Sequence, residues 1–203
     1  MSPAVRTTLT CIAIAAVVGV LLGVLEGATG AKLPPAVWLL PVVIGVSLGG
    51  VVGRLAGNRA EARLTDAERA AAVSLAPPPG GALLVLMREG FVGKAVGVDV
   101  AVDGRPAAQL RSPRAVVLAV APGAHEVTAV VPNAEAGPPS APLRVEVGAG
   151  EVAFLAVQFK MGMTRGAATV ERAADPARAR AALASTPLVA PEPGWESPGA
   201  TAA

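Results

Sequence analysis

Residues 7–25, TTLTCIAIAAVVGVLLGVL, and residues 33–53, LPPAVWLLPVVIGVSLGGVVG, contain no charged side chain. At ~1.5 Å of helical rise per residue, runs of nineteen and twenty-one residues match a hydrocarbon core roughly 30 Å thick. Glycine recurs every fourth position, at Gly19, Gly23 and Gly27 in and just past the first run and at Gly45, Gly49 and Gly53 in the second. Residues four apart share one helix face, so each column forms a groove in which another backbone can approach closely. The expectation is a membrane α-hairpin of two transmembrane helices, with these six glycines as its packing residues.

The segment between the runs, Glu26 to Pro35, is short and rich in helix breakers, as an antiparallel connection requires. Pro34 and Pro35 suit the entry to a second helix, and Pro41 is expected to kink it. Trp38 falls where an indole prefers the membrane interface, and Glu26 marks the end of a span. Arg6 precedes the first run, and Arg54, Arg59, Arg63 and Arg69 follow the second, against Lys32 in the turn. The positive-inside rule then predicts a two-pass protein of a bacterial inner membrane with both termini cytoplasmic. The bacterial source is suggested by a composition rich in Ala, Gly, Pro, Val and Arg.

Beyond the membrane segment, Thr65-Asp-Ala-Glu68 has the spacing of a capping box and predicts a juxtamembrane helix from about Asp66 to Leu75. Pro77-Pro-Pro-Gly-Gly81 ends it and completes a 56–81 linker region. From residue 82 to 172 the pattern becomes short β-prone runs between turn residues. Leu83–Met87 reads as a buried strand, and Val96–Val102 alternates with period two. Asp103-Gly104 is a tight-turn signal leading to Ala107–Leu110. Ala115–Val120, His125–Val131, Leu143–Val147, Val152–Phe159 and a short Ala167–Glu171 complete the set. The fold class expected is therefore the α-hairpin plus an all-β, antiparallel immunoglobulin- or prealbumin-like sandwich of about seven strands. From 173 to 203 the Ala/Pro-rich composition offers too little apolar area to offset ordering entropy, and a disordered tail is expected, with Trp195 an incidental exposed aromatic.

The segment from Leu83 to Phe159 carries a set of turns: Leu-Met-Arg88 followed by Gly-Phe-Val-Gly93, then Val-Asp-Gly104, Ala-Pro-Gly-Ala-His-Glu126 and Gly-Ala-Gly-Glu151. In these it resembles small bacterial β-sandwich domains of unknown function found in envelope lipoproteins, and it is similar to PEGA-type surface-layer modules. The resemblance implies a prealbumin- or immunoglobulin-like fold without enzyme activity. The two apolar runs likewise resemble two-span glycine-zipper membrane domains.

Chemistry-bearing residues are few. The chain has one histidine, His125, and one cysteine, Cys11. Cys11 lies at the start of an apolar run rather than after one, which disfavours lipidation and suits a small packing residue. Nucleophilic catalysis needs a base beside its nucleophile, and only Ser112 or Ser140 stand as partners for His125. His125 is read instead as a turn residue bonding nearby backbone. One histidine and one membrane cysteine make no zinc constellation. Asp99 and Asp103 are read as solvated strand carboxylates rather than calcium ligands, and Arg111-Ser-Pro-Arg114 as a hairpin end. Neither Gly80-Gly81 nor Gly148-Ala-Gly150 leads into a phosphate-loop signature. A formal net charge of +2 with 2% aromatic residues does not form a nucleic-acid surface. No cofactor, metal or nucleic acid is expected. The partners expected are the lipid bilayer, another protein, and a second copy through the glycine columns. The function expected is non-enzymatic: a membrane-anchored binding or scaffold protein, or alternatively a self-associating membrane assembly with the sandwich as its cap.

Overall fold

A computed structural model describes residues 3–30, 32–55, 57–60, 62–132, 138–161 and 166–195, with backbone alone at 3–8, 49–54 and 161. The chain divides into two compact units, Met1–Gly57 and Asn58–Ala203.

The first unit holds α1 (Pro3–Thr29), a 3-10 helix (Pro35–Leu39) and α2 (Leu40–Leu55). Within α1, Leu9–Thr29 is long and apolar enough to cross a membrane, and it is the one such helix among the described residues. A membrane anchor and an N-terminal signal sequence both take this form. The expectation of two spanning helices is corrected here. Pro34 starts a 3-10 turn closed by Val37 N–H to its carbonyl, and α2 begins only at Leu40. Its 16 residues give roughly 24 Å, short of a bilayer core. Pro34 and Pro35, read as the entry to the second helix, instead open the 3-10 turn, and Pro41, read as a kink, is the second residue of α2.

α1 and α2 pack together at one close approach. A Cβ on Gly45 would stand 2.6 Å from the Cys11 carbonyl oxygen and 3.0 Å from Ala15 Cβ, so glycine is required there. Gly19 and Gly23 face Pro41 and Trp38 at ordinary contact distance, and nothing lies within 4 Å of Gly27. The surroundings of Gly49 and Gly53 lie outside the described residues. Among the four described glycines of the two columns, Gly45 makes the tight contact. Val17, Val20, Leu21 and Val24 of α1 remain exposed.

The second unit is a two-sheet sandwich with helices on one face. α3 (Asp66–Ser74) opens with the capping box: Glu68 N–H donates to Thr65 Oγ1 and Thr65 N–H to the Glu68 carboxylate. Eight strands follow, β1 (Ala82–Arg88), β2 (Val98–Val102), β3 (Arg105–Leu110), β4 (Arg114–Val120), β5 (Gly123–Val130), β6 (Leu143–Val147), β7 (Val152–Met161) and β8 (Gly166–Arg172), and then α4 (Pro176–Leu183). One sheet has the order β4-β1-β7-β8 and the other β3-β2-β5-β6. The expected seven-stranded antiparallel sandwich is corrected on two counts. The sheets hold four strands each, and β1 pairs with β7 in parallel, Leu83 opposite Val152. Period-two patterning locates a strand but carries no information on which strand lies beside it.

β1 is buried at every position. Leu84 and Leu86 face the other sheet, among Val98, Val100, Leu118 and Val157. Leu83, Val85 and Met87 face α3 and α4, with Leu75, Phe154 and Leu183. The core is built almost wholly of small aliphatic side chains, as a chain without tyrosine requires.

Two segments read as linker and tail instead strap one side of the sandwich. Ala115 N–H donates to Pro187 O and Val189 N–H to Ala115 O, Ala190 N–H reaches Ala62 O, and Glu192 N–H reaches Ala107 O. Arg59 bridges Asp99 (2.7 Å) and Glu192 (2.8 Å). Trp195 donates its indole N–H to Pro106 O at 2.7 Å and lies under the Arg105 guanidinium. Through residue 195, then, the segment expected to be disordered is folded, and Trp195 has a defined seat. The bonds use the edge groups of β3 and β4, which would otherwise be free to pair with another chain.

Candidate functional site

At one end of the sandwich β1 runs into a loop, Glu89–Gly97, whose shape is set by a buried arginine. Arg88 is 1% exposed. Its Nη1 donates to Leu110 O at 2.7 Å and to Val96 O, and its Nη2 donates to Gly93 O at 2.8 Å. The Phe159 ring lies 5.6 Å from its guanidinium carbon. Burial pushes the guanidinium down to about 10, which leaves it charged at neutral pH. Ser112 Oγ donates to Gly90 O at 2.7 Å, and Asn58 holds the far end of the loop, donating to Ala95 O and accepting from Gly97 N–H. Rigidly held at both ends, the loop presents Phe91 at 88% exposure and Val92 at 54%.

Beside this loop lies a cavity of about 650 Å³. Its floor is Met87, Ala156 and Gln158 on the helix-facing side of the sheet, one wall is Phe91 and Val92, and the other is Ala179 and Ala182 of α4. The space exists because α4 has only 8 residues, about 12 Å of helix, and because alanines line its wall. Glu89, Asp175 and Arg178 stand at the rim. An apolar floor with a few rim charges is the usual make-up of a binding groove.

The residues singled out in the sequence lie elsewhere. His125 and Asp103 come together at the opposite end of the sandwich, where His125 Nδ1 is 2.7 Å from Asp103 Oδ2 and Nε2 is 2.8 Å from Ala121 O. The backbone contact is the expected one. The carboxylate partner was missed, because the pairing of β2 with β5 that creates it is not a local feature. Asp103 also caps Glu126 N–H and sits at φ 51°, a conformation that aspartate tolerates. Burial lowers the imidazole pKa, but the bonds to Asp103 and Ala121 outweigh it, and His125 titrates above its ordinary 6.5. Asp103 likewise titrates below 3.8: burial raises it, and the bonds from His125 and Glu126 N–H lower it by more.

Stability from the raised imidazole is present below pH 6.5 and fades as pH rises through the folded-state value. Stability from the lowered carboxylate is present above 3.8 and fades as pH falls. The pair is therefore strongest between these ranges. A stability profile should fall from mildly acidic to alkaline pH, and Asp103→Asn should flatten it and return the His125 proton NMR titration toward 6.5. An unchanged titration in that variant would show that Asp103 does not hold the ring.

Ser112 is bonded to Gly90, and Ser140 Oγ accepts from Ala129 N–H at 2.9 Å; neither meets His125. Asp99 is engaged by Arg59 and by Gln109 Nε2. Among the described residues no three His, Cys, Asp or Glu side chains gather as a metal site. The groove escaped the sequence reading altogether. Its one visible sign is Phe91-Val92 between two glycines, an apolar pair in a turn. Neither a protein-family model nor a curated protein matches the chain.

Proposed function

We propose that the chain is a membrane-anchored binding module whose sandwich receives an apolar segment of a partner protein in the groove between α4 and the Phe91 loop. The groove itself carries this reading: an open apolar floor beside two exposed apolar side chains is an unusual surface unless something covers it. The rim charges of Glu89, Asp175 and Arg178 suit the polar margin of such a contact.

A photoreactive side chain placed at Ala179 should form an adduct of defined mass in cells, and Ala156→Phe, which fills the floor, should abolish it. The same probe at Glu146, exposed on β6, should form none. An adduct pattern identical at both positions, or indifferent to Ala156→Phe, would overturn the groove as the binding surface.

The order of contacts within the apolar unit sets the orientation: Trp38, Pro41 and Gly45 stand against Gly23, Gly19 and Cys11 in turn, so α2 runs back toward the end of α1 that carries Arg6. We infer that the chain leaves the apolar unit on the side of Arg6, and that this side, with Arg6 and Arg54, is the cytoplasm. In a Cys11→Ala background, Glu146→Cys should react with an impermeant thiol reagent only after lysis. Reaction in intact cells would place the sandwich outside the cytoplasm.

A further inference from the structure

We propose that the Phe91-Val92 loop is a second membrane contact, a rigid apolar tip that enters the interface of an anionic lipid bilayer. The proposal rests on the membrane-anchored part of the reading above, and it gives Phe91 and Val92, which also wall the groove, a lipid contact of their own. Two observations carry it.

The first is the tip. Phe91 and Val92 are 88% and 54% exposed, yet the backbone beneath them is pinned by Arg88 at Val96, Gly93 and Leu110 and by Ser112 at Gly90. Exposed apolar side chains on a mobile loop can fold back on the protein, whereas these are held outward. Insertion then costs little ordering entropy, as for other preorganised surfaces.

The second is charge. Lys94 is exposed in the same loop, Arg111 and Arg114 are half-buried in the neighbouring turn, and the sequence of these two segments, 89–97 and 111–114, holds one carboxylate, Glu89. The two segments are tied by Ser112 N–H to Lys94 O and by Ser112 Oγ to Gly90 O. Apolar side chains among basic ones are the composition that lies in an anionic lipid interface.

The test uses the full chain in vesicles, with Cys11→Ala and Val92→Cys carrying a nitrobenzoxadiazole fluorophore. In vesicles containing phosphatidylglycerol the emission should shift to the blue and be quenched by lipids labelled near the headgroup. Phe91→Glu should remove both effects, and the same fluorophore at Glu146→Cys should show neither. Flotation after an alkaline carbonate wash is read in parallel and reports the α1 anchor. Loss of flotation overturns the anchor. Retained flotation with a fluorophore at 92 still in water overturns the tip alone. A blue shift that follows protein concentration and ignores lipid quenchers assigns Phe91 to a second copy or another protein, which also overturns it.

Discussion

Arg88→Met should lower the stability of the sandwich by about 3–5 kcal/mol, a large share of the roughly 5–15 kcal/mol typical of a whole domain. Methionine keeps the apolar stem but is shorter by the guanidinium group and has no donor. The carbonyls of Val96, Leu110 and Gly93 would then lose their guanidinium partner. A buried acceptor without a partner costs about 1–3 kcal/mol. Part of that is offset, because removing a charge from a buried site relieves the burial that already depresses its pKa. Arg88→Ala lacks the stem and should be worse through the cavity it leaves. Arg88→Lys keeps the charge but concentrates its donors on one nitrogen, and the three carbonyls come from separate stretches of chain. Urea midpoints of the full chain in detergent would rank the variants, with Lys between wild type and Met. A Met variant within about 0.5 kcal/mol of wild type, the range of ordinary surface changes, would show that the clamp contributes nothing.

That arginine illustrates how far the sequence could be read. The strand it ends was legible, since Leu83–Met87 is an unbroken apolar run. An arginine at the end of a strand reads as a solvent-facing charge, and only the fold brings Leu110 and Val96 to it. The eight strands and the capping box at Thr65 and Glu68 are local patterns, and they stand where turn residues and periodicity put them. The parallel pairing of β1 with β7 is non-local and left no mark. In the apolar unit, hydropathy and glycine spacing suggested two equal spans. Pro34 and Pro35 open a 3-10 turn over Pro35–Leu39, so the α-helix begins only at Leu40 and is left short. Composition likewise failed for residues 186–195. They place Leu188 and Val189 in the two halves of the core and are held by backbone bonds to β3 and β4, and an available sheet edge is a property of the partner strands, not of the segment that pairs with it.

The groove and the tip depend on the same local geometry, because Arg88, Phe159 and Gly93 form one stack. Glu89, Gly90, Phe91 and Val92 line the cavity, and the two residues that bound this run, Arg88 and Gly93, are the clamp and one of its acceptors. Binding at this end therefore asks for a loop that is stable before any partner arrives. A variant that loosens the stack should weaken groove adducts and lipid contact together, although none of its atoms need touch either partner.

Gly93→Ala tests that coupling and should destabilise the sandwich by about 2–5 kcal/mol, the sum of a backbone cost and a steric one. Gly93 has φ +62°, in the left-handed region, where an L side chain costs roughly 1–2 kcal/mol. A Cβ there would stand 2.3 Å from Phe159 Cδ1 and 2.5 Å from Cε1, so the ring must move. It has nowhere to go, since Gly166 stands on its other edge and a Cβ at that position would also fall 2.5 Å from the ring. Overpacking of this kind costs about 1–3 kcal/mol. The two parts separate in a double-mutant cycle. Phe159→Leu shortens the obstructing group, so Gly93→Ala should cost less in that background, with the left-handed backbone cost remaining. Gly166→Ala, where φ is not positive, should show the steric part alone and be rescued almost fully by Phe159→Leu. Equal costs of Gly93→Ala in both backgrounds would mean that the ring yields freely. The rigidity assigned to the loop would then have to come from the bonds of Arg88, Ser112 and Asn58.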